Sequence, residues 1–288
     1  MSLAQMQAPR HASLRRKTML TIHEIEQAIA EKAHGSWAAG ETAVWHRLGS
    51  GGGSGLFGLR ITDNQGALKA AADDFDTLAA PPPPAAVDWR CQDGGRLAPV
   101  RDQGLDCGAC VAFATAAVVE ARHWIDAGSS VELSEAELFH CNGGSCDDGW
   151  GLAAGFDSAT RGMALLADAP WVDDPTCTSA KMVVTVSSYT ELTDFDARRR
   201  AVAQGPVVAG MEVYEDLASY VGGIYQQVAG TYRGDHAVCI VGYDDADQCW
   251  IVRNSWGTGW GEGGYFRIAY GQCRIDDLPF YSCDTRAV

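Results

Sequence analysis

Two cysteines, a histidine and an asparagine in this sequence are residue types that could perform nucleophilic catalysis. Cys107 and Cys110 lie in a glycine-containing loop, and the apolar residues after them recur at helical spacing. We therefore predict a helix with Cys110 in its first turn, where unpaired N–H groups and the helix dipole favour a thiolate nucleophile. His236 and Asn254 follow 126 and 144 residues later. A histidine can accept the thiol proton, and an asparagine can fix the histidine tautomer.

The elements that must position these residues change in type along the chain. Predicted helices come first and predicted strands later, which implies an α+β fold with two lobes and a cleft between them. The predicted helices cover Thr21–His34, Cys110–Ile125, a segment that begins at the capping-box pattern Ser134–Glu137, and Thr193–Gln204. The predicted strands cover Leu56–Ile61, Val183–Val186, Val207–Ala209, Ala237–Gly242, Trp250–Asn254 and Tyr265–Ile268.

Two compositional breaks divide the N-terminal part of the chain. Ser50–Gly55 is a glycine and serine run and is expected to be a flexible loop. Pro81–Pro84 is expected to be extended, because proline offers no N–H to a helix or a sheet. We therefore predict a boundary at residue 84, with an N-terminal region over residues 1–84 and a second region over residues 85–288.

Charge and composition exclude some partners. The net charge of −15 falls entirely after residue 84, because residues 1–84 contain eight basic and eight acidic residues. Such an excess of acid argues against nucleic-acid binding. Arg198–Arg200 is expected to be a solvated helix face, and no apolar run is long enough to predict a membrane span. We expect a monomer without nucleic-acid or membrane partners.

The cysteines point to an oxidising compartment. All ten lie between Cys91 and Cys283, and such a density favours a secreted or periplasmic location. Against this, Met1–Thr21 lacks the apolar core of a signal peptide.

The chain resembles the papain-like cysteine peptidases over about residues 85–283. The motifs that carry the resemblance are Val87-Asp88-Trp89-Arg90, the loop from Gln103 to Cys110, Ser134-Glu135-Ala136-Glu137-Leu138, Gly234-Asp235-His236, Gly242-Tyr243, Asn254-Ser255-Trp256-Gly257 and Phe280-Tyr281. The separations of His236 and Asn254 from Cys110 are also typical of this family. The resemblance implies a helical lobe at about 92–183, a β-barrel-like lobe at about 184–279, and cofactor-free, metal-free cleavage of peptide or protein substrates.

The resemblance also implies roles for individual residues. Gln103 and the backbone N–H of Cys110 would stabilise the oxyanion, while Asn254 would orient His236 and Trp256 would shield that hydrogen bond from water. It further implies disulfides that pair Cys107 with Cys146 and Cys141 with Cys177. The substrate pocket would be lined by Gly149, Trp150, Gly151, Gly210, Ala237 and Leu278. This lining is apolar and contains no acid, so we predict a hydrophobic side chain next to the residue at the cut.

The sequence departs from the family pattern at three places. The loop from Gln103 to Cys110 is one residue longer than usual, and Val111 stands where a tryptophan is common. In addition, no cysteine shortly precedes His236 to pair with Cys273. If His236 faces Asn254 across a hairpin, Cys239 faces Ile251 rather than Cys249, so we predict two buried thiols rather than a bridge. The partners of Cys91, Cys239, Cys249, Cys273 and Cys283 stay open.

In the papain-like family a prosegment precedes the catalytic region, lies along the cleft and keeps the zymogen latent. Residues 1–84 occupy that position, and the alternative is an accessory interaction domain. Three other functions compete with an endopeptidase. The spacing of Cys107, Cys110, Cys141 and Cys146 is compatible with a zinc site, although this would leave the His236 and Asn254 motifs unexplained. A peptide-processing or acyl-transfer enzyme would use Cys107 as its nucleophile, and an idle binding protein could share the fold.

Overall fold

The computed structural model describes residues 19–53, 55–61, 82–91, 97–172, 177 and 180–288. In these residues the helices are α1 (Ile22–Lys32), α2 (Ala43–Gly49), α3 (Cys110–Ala127), α4 (Glu135–His140), α5 (Leu152–Ala159) and α6 (Phe195–Gln204). The strands are β1 (Trp37–Ala39), β2 (Ala86–Asp88), β3 (Met163–Ala164), β4 (Met182–Leu192), β5 (Val207–Tyr214), β6 (Tyr220–Tyr225), β7 (Tyr232–Asp244), β8 (Cys249–Arg253), β9 (Tyr265–Ala269) and β10 (Phe280–Ala287). None of the described helices is long and apolar enough to cross a membrane.

The strands form one sheet in the order β1-β6-β9-β8-β7-β5-β10-β4-β3, and β2 pairs with β7. All of these pairs are antiparallel except β6 with β9. The fold is thus α+β, as predicted, with α3 to α5 before most of the strands. β7 carries the candidate histidine and lies between β5 and β8, so its position is fixed by a hydrogen-bond ladder on each side.

α3 is the central helix, and it packs against β7 and β10. Its small and apolar side chains are buried around most of its circumference, which permits close approach of the sheet on one side and of α4 and α5 on the other. The helix ends at Gly128, whose φ of 70° is a left-handed conformation that favours glycine. The prediction of a helix that begins at Cys110 is confirmed.

The N-terminal elements pack on the strand-rich part of the protein. Thr21 and Glu24 form a capping box that starts α1, as the sequence pattern Thr-x-x-Glu permits. β1 pairs with β6 at the edge of the sheet, and Lys32 Nζ donates to the carbonyl of Val228 at 2.6 Å. Residues 19–53 therefore form a small layer that covers one sheet edge.

Two predictions about the N-terminal region lie partly outside the described residues. Pro82–Pro84 have no regular secondary structure, while Pro81 is not described. The Ser50–Gly55 loop is described except for Ser54, and residues 1–18 lie outside the described ranges.

The expectation of a solvated basic face at Arg198–Arg200 is wrong for Arg198. This residue is 3% exposed, and its guanidinium donates to the carbonyls of Leu192, Asp276 and Leu278. Because three carbonyl oxygens converge on it, one from the end of β4 and two from residues 276–278, burial of the charge does not leave its donors unsatisfied. The arginine links α6 to the segment before β10.

The predicted register of the hairpin formed by β7 and β8 is also wrong. Cys239 pairs with Arg253, and a bulge after Ile240 then shifts the register so that Asp244 pairs with Cys249. One extra residue on β7 causes this shift, and no alternating pattern in the sequence signals it. The conclusion drawn from the predicted register nevertheless holds, since Cys239 and Cys249 are buried and unbridged.

Candidate active site

Cys110 is the first residue of α3 and has no solvent-accessible surface. Burial raises the pKa of its thiol to about 11, although hydrogen bonds from the backbone N–H groups of Ala237 and Gly58 act in the opposite direction. Helix position alone would favour a thiolate, but here desolvation outweighs it. The thiol is therefore neutral in this state of the molecule.

His236 and Asn254 are joined by a hydrogen bond of 2.9 Å between Nε2 and Oδ1. Asn254 Oδ1 also accepts the N–H of Ser255 at 2.9 Å, so this atom must be the amide oxygen. An amide oxygen cannot donate, which requires His236 Nε2 to carry the proton. In the neutral ring Nδ1 is then an acceptor, and it has no hydrogen-bond partner among the described residues. This is the tautomer that a general base needs.

The backbone brings Cys110, His236 and Asn254 together where the helical and strand-rich parts of the protein meet. His236 is followed by Ala237, whose N–H reaches the Cys110 thiol. Asn254 directly follows β8, the strand paired with β7, and its N–H donates to Gly264. Burial lowers the pKa of His236 to about 4, although the bond to Asn254 partly opposes this. The imidazole is consequently neutral, like the thiol.

Gln103 is held in a fixed orientation at the same boundary. Its Nε2 faces two carbonyl oxygens, which can only accept, so this atom is the nitrogen that presents both amide hydrogens, while its Oε1 accepts the hydroxyl of Ser255 at 2.6 Å. Nε2 donates to the carbonyls of Cys107 at 2.8 Å and Leu56 at 3.2 Å. A donor fixed in this way can stabilise negative charge on an oxygen that takes the place of the Leu56 carbonyl.

Residues 56–60 pass between the helical and strand-rich parts of the site. Trp150 N–H donates to the Gly58 carbonyl at 2.7 Å, and the Trp150 carbonyl accepts from Arg60 N–H at 2.8 Å. On the other side, Leu59 N–H donates to the Asp235 carbonyl at 3.1 Å. We call residues 56–60 the cleft segment. The predicted strand at Leu56–Ile61 is wrong, because these bonds form one isolated bridge rather than a ladder.

Glycines make this close passage possible. A Cβ built on Gly58 would lie 2.1 Å from the carbonyl oxygen of Gly108, and one built on Gly149 would lie 1.8 Å from the Gly58 oxygen. Neither distance is compatible with a side chain, because the opposing atoms are backbone. Glycines at positions 58, 108 and 149 are a signal in the sequence that could have indicated this approach.

The predicted pocket residues surround the cleft segment. Leu59 lies against Gly210 and Leu278, since a Cβ on Gly210 would be 2.9 Å from Leu59 Cδ2 and 3.3 Å from Leu278 Cβ. Trp150 binds the segment through its backbone, with Gly149 and Gly151 on either side of it, and Ala237 pairs with Gly210. A small cavity of about 30 Å³ lies beside Leu59, lined by Arg60, Ile61, Leu152, Ala153, Pro279 and Tyr281.

Aromatic rings cover the bond between His236 and Asn254. The Trp256 ring lies 5.0 Å from the His236 ring, and Phe57 of the cleft segment stands edge-on to both at 6.1 to 6.3 Å. Trp256 is 4% exposed and Asn254 is also 4% exposed. Phe57 and Ser255 were not identified from the sequence, because the residues they contact are about 150 or more positions away along the chain.

Two disulfides surround the loop before α3. Cys107 is bonded to Cys146, and Cys141 is bonded to Cys177. Gly108 N–H also donates to the Cys146 carbonyl at 2.9 Å, so the first bridge fixes the approach to Cys110. The sulfur of Cys107 is thus unable to act as a nucleophile or a zinc ligand in this state. Cys91, Cys110, Cys239, Cys249, Cys273 and Cys283 are unbridged, and all of these except Cys91 are buried.

Comparisons with known proteins agree on one family. The family described as "Papain family cysteine protease" matches residues 83–283. "Cysteine endopeptidase RepA" of Oryza sativa subsp. japonica is 36% identical over 247 residues, which are 81% of this chain and 61% of that protein. "Ananain" of Ananas comosus is 34% identical over 223 residues, 72% of this chain and 64% of that protein. The matched part thus spans less than two thirds of the length of either relative.

Solved structures of precursor forms are similar to most of this chain. One is "proCathepsin B S9 from Trypanosoma congolense", with a TM-score of 0.79 and 25% identity, covering 93% of this chain and 99% of that chain. Another is the digestive procathepsin L 3 of the Tenebrio molitor larval midgut, with a TM-score of 0.74 and 26% identity, covering 91% and 87%.

Proposed function

Since the chain belongs to the papain family of cysteine proteases, we propose that it is an endopeptidase in which Cys110, His236 and Asn254 hydrolyse peptide bonds. The observation that carries this proposal is the tautomer of His236. Its Nε2 donates a proton to Asn254 Oδ1, and its Nδ1 remains a free acceptor among the described residues. The next residue of β7, Ala237, contacts the Cys110 thiol through its backbone N–H. A zinc site or an idle binding surface would not require this arrangement.

In the proposed reaction the Cys110 proton moves to His236 Nδ1, which gives a thiolate and an imidazolium. The thiolate sulfur forms a bond to the peptide carbonyl carbon, and the electron pair of the C=O bond moves to oxygen. Gln103 Nε2 and the Cys110 N–H stabilise this oxyanion. When the C–N bond breaks, His236 Nδ1 returns its proton to the leaving amine. Water, deprotonated by the same nitrogen, then releases the acid and restores the thiol.

We also propose that residues 1–84 form a prosegment and residues 85–288 the catalytic region. The cleft segment supports this, because the Leu56 carbonyl accepts a hydrogen bond from Gln103 Nε2 and the Leu59 side chain lies in the predicted pocket. The neutral state of both Cys110 and His236 is a consequence of this burial. Removal of the segment would let water reach the pair and favour the thiolate and imidazolium forms. The similarity to structures of precursor forms is consistent with latency.

Thiol alkylation tests the assignment of the nucleophile. We expect iodoacetamide at pH 7 to modify Cys110 at least about tenfold faster after cleavage near Pro84 than in the uncut chain, because solvation lowers the pKa of the thiol. Peptide mapping by mass spectrometry gives both rates. Cys91 is exposed and unbridged and serves as the internal control, since its rate should not change. Modification of Cys107, or equal rates at Cys110, would contradict the proposal.

The pocket around Leu59 predicts substrate preference. Gly210 leaves room for a branched apolar side chain, and no carboxylate lies among the predicted pocket residues. Profiling of the processed protein with a peptide library should show at least about a tenfold preference for leucine over arginine next to the residue at the cut. A Gly210→Val variant should shift the preference from leucine towards smaller apolar side chains. A basic preference in the unmodified protein is the result that this pocket could not explain.

The disulfides support a function in an oxidising compartment, and we propose that the protein works outside the reducing cytosol as a monomer. Its partners would then be peptide or protein substrates and its own N-terminal region. Size-exclusion chromatography with light scattering measures the oligomeric state directly.

A further inference from the structure

A carboxylate in the loop before α3 binds an arginine of the N-terminal region. Asp106 Oδ1 accepts from Arg47 Nη2 at 2.5 Å and from Arg47 Nε at 3.2 Å. The side chain of Asp106 is 66% exposed and that of Arg47 is 40% exposed, so this pair does not compensate the burial of a charge. The loop from Gln103 to Cys110, which carries Asp106, is also one residue longer than is usual in the family. The proposed reaction does not use this carboxylate.

The cleft segment shows which side of the reacting groups belongs to each half of a substrate. The N–H of Gly58 contacts the Cys110 thiol, and the Phe57 ring stands edge-on to the His236 ring at 6.3 Å. In the proposed reaction the thiolate bonds to the acyl carbon, whereas His236 protonates the leaving amine. The path from Gly58 to Phe57 therefore leads from the acyl half of the site into the leaving-amine half.

Asp106 lies further along this path, in the leaving-amine half. Gly55 is two residues beyond Phe57, and a Cβ built on Gly55 would lie 2.7 Å from the carbonyl oxygen of Asp106. In the opposite direction, Leu59 lies against Gly210 in the predicted pocket. The pocket and Asp106 thus face different halves of a bound peptide. The hydrophobic preference predicted for the pocket does not limit the residues near Asp106.

The N-terminal region covers this surface in the uncut chain. A cavity of about 460 Å³ is bounded by α2 on one side, and its other walls include Leu105, Trp256 and Asp102. Leu105 and Trp256 provide apolar surface, while Asp102 is an exposed second carboxylate. Departure of residues 1–84 would take α2 and Arg47 away together. It would leave Asp106 beside an apolar surface and without its guanidinium partner.

We propose that Asp106 is a specificity-determining residue that favours an arginine or lysine side chain within the first three residues after the cut. The proposal rests on the endopeptidase function proposed above. The chain passes from His236 to Asp106 in three residues, 57 to 55, so a long basic side chain on any of the three leaving residues can reach the carboxylate. Arg47 already places a guanidinium there. The net charge of −15, which falls after residue 84, also attracts cations to this region.

Paired arginine and citrulline peptides test this preference, because citrulline has nearly the shape of arginine but no charge. Each peptide carries leucine for the pocket, and the test residue stands at the first, second or third position after the cut. The full chain, cleaved near Pro84, should show a kcat/KM about threefold to fivefold higher for at least one arginine peptide than for its citrulline match at low ionic strength. The ratio should fall towards one in roughly 1 M salt. Equal kcat/KM values in all three pairs would overturn the proposal.

Variants assign the preference to one carboxylate. Asp106→Asn should reduce the ratio of arginine to citrulline rates to at most about 1.5, and Asp106→Glu, which keeps the charge, should retain most of it. Asp247→Asn is the matched control, because it removes the same charge from the exposed turn between β7 and β8, at the other end of the hairpin from His236 and Asn254. It should keep the unmodified ratio. An arginine preference that survives Asp106→Asn would refute the assignment.

The same peptides separate a failure of this preference from a failure of the proposed function. If the unmodified protein hydrolyses both members of every pair equally, and Cys110→Ser abolishes this hydrolysis, the endopeptidase stands and the role of Asp106 is refuted. If neither member is hydrolysed, or if hydrolysis survives Cys110→Ser, the endopeptidase function fails and the role of Asp106 fails with it.

Discussion

A Cys110→Ser variant, freed of residues 1–84, should hydrolyse a fluorogenic peptide on the order of 10⁴-fold more slowly than the matching unmodified protein. The change replaces one atom at the start of α3 and keeps its size nearly constant. A serine hydroxyl has a far higher pKa than a thiol, so His236 Nδ1 cannot generate a comparable amount of nucleophile. The fold should be unaffected, because the buried thiol of Cys110 forms no bridge.

Kinetics and a second cysteine variant separate a catalytic effect from a structural one. The loss should lie in kcat, while KM stays within a few-fold, because the pocket around Gly210 and Leu278 is untouched. Cys91→Ser is the matched control: this cysteine is also unbridged but is exposed, and its variant should retain full activity. A Cys110→Ser protein that keeps more than a few per cent of the activity would show that another group is the nucleophile.

The parts of the fold that could be predicted are those with a local or regularly spaced signal. The helix at Cys110–Ala127 follows from apolar spacing, and its start follows from the loop before it. His236 and Asn254 were identified through motifs whose residue types suit one chemistry. The pairing of Cys107 with Cys146 came from the family resemblance, since cysteine spacing alone leaves several connectivities open.

The parts that could not be predicted depend on contacts between distant backbone atoms. The cleft segment binds Trp150 and Asp235 through N–H and C=O groups, which every residue carries, so no side-chain pattern announces it. Arg198 is buried because carbonyls of residues 276 and 278 meet it, and the sequence near α6 does not reveal those acceptors. The bulge after Ile240 is likewise a local insertion without a periodic signal.

A Gly58→Ala substitution should make the uncut chain about 100-fold more active than the unmodified uncut chain. The new Cβ would lie 2.1 Å from the Gly108 carbonyl oxygen and 2.3 Å from the Gly108 Cα. Neither atom can move freely, since Gly108 N–H is bonded to the Cys146 carbonyl and its neighbour Cys107 is in a disulfide. Overpacking against rigid backbone costs up to about 3 kcal/mol, which corresponds to roughly 10² in the population of the displaced segment.

The displacement should be local, because the rest of the N-terminal region has its own contacts. β1 remains paired with β6, and Lys32 remains bonded to Val228. Gly49→Ala is the matched control, since its Cβ would meet only the Met19 side chain at 3.9 to 4.0 Å, an ordinary contact. Activity is measured on intact chains, with mass spectrometry to verify that none has been cut.

The two variants together distinguish obstruction of the active site from an accessory role of residues 1–84. If the cleft segment blocks the site, Gly58→Ala alone raises activity, and iodoacetamide reaches Cys110 faster in that variant than in Gly49→Ala. If residues 1–84 are instead an accessory domain, both variants match the unmodified chain in activity and in alkylation rate. The backbone contact between Gly58 and Gly108 predicts the first result, because the same passage that excludes a side chain at residue 58 also excludes a substrate from Gln103 and Cys110.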